Sequence, residues 1–332
     1  MRILVTGGAG YIGSHTVRQL IAGGHDVTVF DNLRYGHRQA VPAERLVVGD
    51  LRDIDHLDHL LVVERVEAVV HFAASTSVPE SVKAPAEYYT NNLVYSLQLL
   101  DRCRRNGVGK FVFSSTAAVY GLPDYGVPDA VPIREDAKKV PVNPYGATKL
   151  AFERALEDYS FAYPFGYCAL RYFNAAGAAE DGAIGEDHTP ETHLIPIVIQ
   201  AATGKRPHVE IFGTDYNTPD GTCVRDYVHV DDLAAAHVLA LGKLGPGKRL
   251  TYNVGIGRGY SVREVIATVE AVSGLTVPVK EGVRRDGDPP VLVAAADRLR
   301  AELGWAPKYT NLRAIVETAW RWHKAHPDGF GG

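Results

Sequence analysis

Tyr145 and Lys149 stand four residues apart in Asn143-Pro-Tyr-Gly-Ala-Thr-Lys149. On a helix, that spacing sets both side chains on one face. A free phenol titrates near ~10, too high for a base at neutral pH. A neighbouring ammonium, helped by an oxidised nicotinamide ring, favours phenolate and lowers that value. Upstream, Ser114-Ser-Thr116 closes an apolar run, and a hydroxyl there can share a proton with a substrate and the tyrosine. A second group lies near the start, in Thr6-Gly-Gly-Ala-Gly-Tyr-Ile-Gly13. Gly8, Gly10 and Gly13 satisfy GxGxxG, and Gly7, Gly10 and Gly13 satisfy GxxGxxG. Glycines of this kind allow a tight turn, close approach of a pyrophosphate and close packing of the next helix, whose N–H groups face the phosphates. Asp31 follows 18 residues after Gly13. A carboxylate there accepts hydrogen bonds from an adenosine ribose and repels a 2′-phosphate, so NAD is preferred over NADP. Arg34 and Arg38 oppose this weakly. Asp50 has two open readings, a partner for the adenine amino group or an N-cap for the following segment.

The elements that must hold these groups alternate over the first 115 residues. Arg2–Thr6, Asp26–Phe30, Leu46–Val48, Ala68–Phe72 and Phe111–Phe113 read as buried strands, with helical spacing over Ile12–Ala22 and roughly Ala86–Asn106. This predicts βαβ units and a Rossmann-type, doubly wound parallel sheet, with hydroxyls at the end of the fifth strand facing the ligand crevice. A helix over Tyr145–Tyr163 and a strand over Cys168–Arg171 follow. The pattern then loosens, and 175–195 and 205–225 read as irregular. Short strands are expected near 209–212 and 250–254, and helices near 231–241, 261–272 and 312–324. The dinucleotide domain is read as 1–173 with returning segments near 226–254, and a smaller α/β lobe as most of 174–332. The tail 328–332 is expected to fray.

Composition limits the classes. The chain has 332 residues and a formal net charge of −4, which argues against electrostatic nucleic-acid binding. No apolar run is long enough to cross a membrane. Cys103, Cys168 and Cys223 are odd in number and widely spaced, which fits a reducing cytoplasm. The 13 histidines look scattered, and no metal-ligand cluster is expected.

The sequence resembles the extended short-chain dehydrogenase/reductase superfamily, and within it the UDP-hexose 4-epimerase family. The carrying stretches are Val5–His15, Asp31-Asn-Leu33, His71-Phe-Ala73, Tyr88–Asn92, Phe113–Gly121, Asn143–Lys149, Leu170–Asn174, Asp220–Val230 and Leu303-Gly-Trp305. They span nearly the whole chain. The resemblance implies that Tyr145 is the base on the sugar 4-OH, assisted by Thr116, and that Lys149 holds the nicotinamide ribose. It implies transient oxidation at C4 by tightly bound NAD, rotation of a 4-keto sugar and hydride return to the other face. NAD is implied to contact Gly7, Gly10, Tyr11, Ile12, Gly13, Asp31, Asn32, Asp50 and Leu51. The implied set continues with Phe72, Ala73, Ala74, Asn91, Ser114, Tyr145, Lys149 and Tyr172. The UDP-sugar is implied to meet Thr116, Asn174, His193, Leu194, Phe212, Arg225, Tyr227, Arg285, Asp288 and Leu292. A homodimer is implied through helices near 86–106 and 146–162.

Three positions depart from the common family pattern. Thr76 replaces a cofactor-contacting lysine, and His193 replaces an asparagine near the sugar and phosphate. Leu292 stands where some members carry a tyrosine that crowds the sugar 2-substituent, so N-acetylated sugars are expected to fit. Nucleotide-sugar dehydratases keep acids after the strand-five threonine; Ala117 and Ala118 cannot move protons and disfavour that alternative. A non-catalytic NAD-sensing protein is the other rival, disfavoured by the intact Tyr145 and Lys149 pair.

Overall fold

The computed structural model describes residues 1–123, 130–285 and 287–331. Six strands run in chain order: β1 (Arg2–Thr6), β2 (Asp26–Asp31), β3 (Leu46–Val48), β4 (Ala68–His71), β5 (Lys110–Thr116) and β6 (Gly166–Tyr172). Then come β7 (Asn174–Ala176), β8 (Val209–Phe212), β9 (Val224–His229) and β10 (Arg249–Val254). The first six and β10 form one parallel sheet of order β10-β6-β5-β4-β1-β2-β3. Their near-continuous apolar runs suit a sheet covered on both faces. One cover is built on Val17 and Leu20 of the helix Tyr11–Ala22 and Leu233 and Ala240 of the helix Val230–Lys243. Leu57, Leu99 and Phe152 build the other.

Strand order reverses between β1 and β4, so the crevice of this doubly wound sheet opens at their C-terminal ends. The return to the large sheet begins at Val230. β9, read from sequence as part of the return, instead lies in the second lobe. There it pairs with β7, with β11 (Gly259–Ser261) and, after β12 (Val279–Gly282), with β13 (Val291–Leu292). Helices Leu194–Ala202, Val262–Ser273 and Leu312–Ala325 share that lobe's apolar core.

Two expectations are corrected. The helix read over 86–106 is three pieces: Pro85–Tyr88, a wide π-type turn over Tyr89–Val94, and Tyr95–Arg105. Asn92 is buried inside the turn, accepting from Ser75 N–H at 2.8 Å and donating to the Ser75 carbonyl at 2.8 Å. A π turn inserts a residue into helical spacing, which periodicity alone does not reveal. The tail is packed rather than frayed through its described residues. The Phe330 ring stacks on His37 (4.8 Å between centroids) and meets Trp322 (4.9 Å), and its N–H donates to Asp187 at 2.9 Å. The three cysteines are free and buried. Among the described residues, no helix is long and apolar enough to cross a membrane.

Candidate active site

A cleft of about 680 Å³ opens at the switch point. Its floor is the glycine turn. Gly7 has φ +70°, and a Cβ there would lie 2.5 Å from the Ala73 nitrogen; one on Gly13 would lie 2.3 Å from the Gly7 carbonyl oxygen. Only a chain without side chains at both points brings β1, β4 and the first helix this close. That helix starts at Gly10 with no side-chain cap, so its first-turn N–H groups stay available for an anion. By contrast, Asp53, Asn143, Ser261 and Asn311 cap the helices that follow them.

Asp31 is buried at the end of β2 and lines the cleft. Its carboxylate accepts from the N–H groups of Ala9 (2.9 Å) and Leu33 (2.8 Å), which ties the glycine turn to the ribose side of the cleft. Burial pushes its pKa up, with those N–H groups opposing. Asp50 does not cap a helix, because Asp53 does; its carboxylate lines the cleft and accepts from Asn32 at 2.9 Å. Gly7, Gly10, Tyr11, Ile12, Gly13, Asn32 and Leu51 line the same cleft. So do Phe72, Ala73, Ala74, Asn91, Ser114 and Tyr172. The π turn delivers Asn91, whose amide donates to the Ser75 hydroxyl at 3.3 Å. These surfaces fit a dinucleotide: a cradle that a Cβ would fill, an uncapped helix start and a carboxylate beyond it. Thr76 lines the cleft too, and Lys83 reaches it from the helix Val78–Lys83.

Thr116 and Tyr145 both line the cleft. Burial pushes the phenol up to about 12, and the Thr116 hydroxyl pulls it back only in part. Lys149 lies beneath the lining, its Nζ donating to the Ser114 carbonyl at 2.8 Å and sitting 6.0 Å from the centre of the Tyr145 ring. Burial brings this ammonium down to about 7, against the opposing charge of Glu153. Ser114 pairs with the Tyr172 hydroxyl at 2.5 Å.

One helical turn past Lys149 lies a partner the motif did not reveal. Glu153 accepts from Ser115 (2.5 Å) and forms a buried pair with Arg171 (2.5 Å). Arg171 also donates to Tyr120, whose hydroxyl donates to Asn253. The network crosses β5, β6 and β10 beside Lys149. A charged residue at the fourth position after Lys149 was the available signal.

The residues implied to meet the UDP-sugar divide. Thr116, at the end of β5, and Asn174 and His193 line the cleft. Leu194 opens the helix Leu194–Ala202 and packs against the lobe core, and Tyr227 is buried in that core. Tyr227 lies outside the cleft lining. Arg225, Asp288, Arg285 and Phe212 fall outside the cleft lining in two local pairs: Arg225 with Asp288 at 2.5 Å, and Arg285 over the Phe212 ring at 3.7 Å. Leu292 pairs in register with Arg225 and packs beside Phe173, which lines the cleft.

The irregular 175–195 segment carries the largest surprise. Glu186, His188, Glu191 and His193 place one potential ligand atom each within 4.8 Å of all the others. The expectation of no ligand cluster is corrected here. The pattern Glu-x-His-x-x-Glu-x-His was legible but lies on neither a helix nor a strand. Burial disfavours a charged His188, yet the neighbouring Glu186 and Glu191 carboxylates raise its pKa, and the same two raise that of His193. Both rings line the cleft.

With this geometry in place, comparison with known proteins gives the class. Residues 3–255 match the model of the NAD dependent epimerase/dehydratase family, and the chain belongs to that family. It is 50% identical to the UDP-glucose 4-epimerase of Lacticaseibacillus casei over 333 residues, covering 100% of this chain and 99% of that one. The structure of UDP-glucose 4-epimerase from Brucella ovis in complex with NAD superposes with a TM-score of 0.91 at 46% identity, covering 96% and 97% of the two chains. That from Bifidobacterium longum in complex with NAD+ and UDP gives 0.93 at 37% identity, covering 99% and 100%.

Proposed function

We propose that this protein interconverts UDP-glucose and UDP-galactose by transient oxidation at the sugar C4 with bound NAD. The observation that carries the reading is the meeting of Thr116 and Tyr145 in the cleft that the glycine turn floors, with Lys149 directly below. NAD, when bound, would supply the hydride acceptor and a positive charge. Tyr145 then takes the 4-OH proton and returns it, and Thr116 holds the hydroxyl hydrogen bonds in line. Lys149 fixes the β5 end through the Ser114 carbonyl. Ala117 and Ala118, next to Thr116, have only methyl groups, so no second acid or base follows the strand end to drive elimination. The opposite wall offers positive field for a diphosphate: His193 precedes a helix that, like the first, has no side-chain cap.

The small aliphatic Leu292 favours acceptance of N-acetylated UDP-hexoses as well. A homodimer through the helices over 85–105 and 144–162 is supported by Tyr89 and Val94, which are exposed apolar side chains on the wide turn. The buried free cysteines agree with a cytoplasmic setting. The test is a panel of UDP- and dTDP-sugars with purified protein, products identified by NMR. Conversion of UDP-galactose to UDP-glucose is expected, with UDP-N-acetylglucosamine also turned over. Formation of a 4-keto-6-deoxy product, or no turnover of any sugar, would overturn the reading.

A further inference from the structure

We propose that Glu186, His188, Glu191 and His193 form a binding site for one divalent metal ion of the zinc type, set in the wall of the cleft. Two imidazoles and two carboxylates are a donor set that zinc accepts in a closed, four-coordinate structural site. Bonds of ~2.0–2.2 Å in a tetrahedron separate neighbouring ligand atoms by about 3.3–3.6 Å. Two of the six pairwise spacings already fall in that range and a third lies just outside it. His188 Nδ1 lies 3.4 Å from Glu186 Oε1 and 3.7 Å from Glu191 Oε2, and His193 Nδ1 lies 3.5 Å from Glu191 Oε1. The fourth, His193 Nδ1 to Glu186 Oε1 at 2.5 Å, opens by about an ångström when an ion enters.

A second observation points the same way. The Glu186 side chain is only 3% exposed, and its Oε1, together with His188 Nδ1, is buried without a hydrogen bond of good geometry. Two carboxylates buried this close together need positive charge among them, which a divalent ion would supply. The outer supports are present as well. Glu191 Oε1 accepts from the N–H groups of Thr192 (2.7 Å) and His193 (2.8 Å), leaving Oε2 turned to His188. The Trp322 indole donates to the Glu186 carbonyl at 3.3 Å. Partners of this kind hold ligands in place before the ion arrives.

The site has a positional consequence. A metal on His193 Nδ1 leaves the proton on Nε2, fixing the ring as a donor in the cleft wall at the start of the helix Leu194–Ala202. The ion thereby couples the irregular segment to the surface that faces the substrate, without taking part in proton or hydride transfer.

The test uses the full-length protein equilibrated with zinc, desalted and analysed for metal by mass spectrometry. One zinc per chain is expected in the wild type. Glu186→Gln and His188→Ala are each expected to lower retention by more than the ~10–100-fold that loss of an outer partner costs. Equal retention in wild type and folded variants, or no retention in the wild type, would overturn the proposal. X-ray absorption on the wild-type zinc protein decides even where a variant fails to fold: two imidazoles in the metal shell support the site, and a shell without imidazole overturns it.

Discussion

The two walls of the cleft are built by different means. The cofactor wall is made mostly of backbone: glycines at Gly7 and Gly13, an uncapped helix start and N–H groups pinned by Asp31. The facing wall is made of side chains, with His188 and His193 supported by Glu186 and Glu191. A backbone site is specified by where a side chain must be missing, so a short motif describes it. A side-chain site is specified by which groups converge, and its members need not fall in one periodic element.

Three substitutions can break or sharpen this contrast. The largest expected effect is on chemistry alone. Tyr145→Phe removes the base and is expected to lower kcat by about 10²–10⁴-fold, with NAD retained because the backbone wall is untouched. Near-normal turnover, or loss of cofactor from the purified variant, would break the assignment. Next comes Gly13→Ala. Its Cβ would sit 2.3 Å from the Gly7 oxygen, so the turn must open, at about 1–3 kcal/mol of overpacking. Loss of bound NAD in the absorbance of the purified protein is expected, together with a lower Tm. A fully loaded variant would show that the glycine contact is dispensable.

The smallest effect reads the floor between the walls. Native Lys149 loses its proton near about 7, whereas an unfolded lysine does so near ~10.4. Between those values the unfolded state binds more protons, so stability rises with pH. This contribution is present above the unfolded value and is lost as pH falls through the folded one. Lys149→Met is expected to flatten the rise in unfolding free energy between pH 7 and 9, measured by denaturant titration. An unchanged pH slope would mean that Lys149 stays charged in the native protein.

The same contrast explains what the sequence disclosed. The parallel sheet was legible because β1, β2 and β4 are apolar, β-branched runs stopped by turn residues, and the glycine turn because its constraint is local. Tyr145 and Lys149 were legible through helical spacing. Glu153 was not singled out, because its value depends on Arg171 arriving from β6 and Tyr120 from the loop after β5. Asp50 stayed ambiguous until Asp53 proved to be the cap. The Glu186–His193 cluster escaped because no period marks an irregular segment, and only its packing against Trp322 and Tyr11 gathers the four side chains. Tyr227, in a well-marked motif, packs its ring into the second lobe's core.

The packed tail bears on how the protein is made. Asp187, between two members of the cluster, is latched by Phe330, 143 positions later in the chain. At ~5–20 residues per second, a ribosome takes roughly 7–30 s to cover that distance. The Rossmann strands up to β6 have emerged by then and can pair, but the side-chain wall stays unlatched until Phe330 is out. Synthesis itself therefore imposes an order in which the cofactor half of the cleft can mature first and the substrate half closes last.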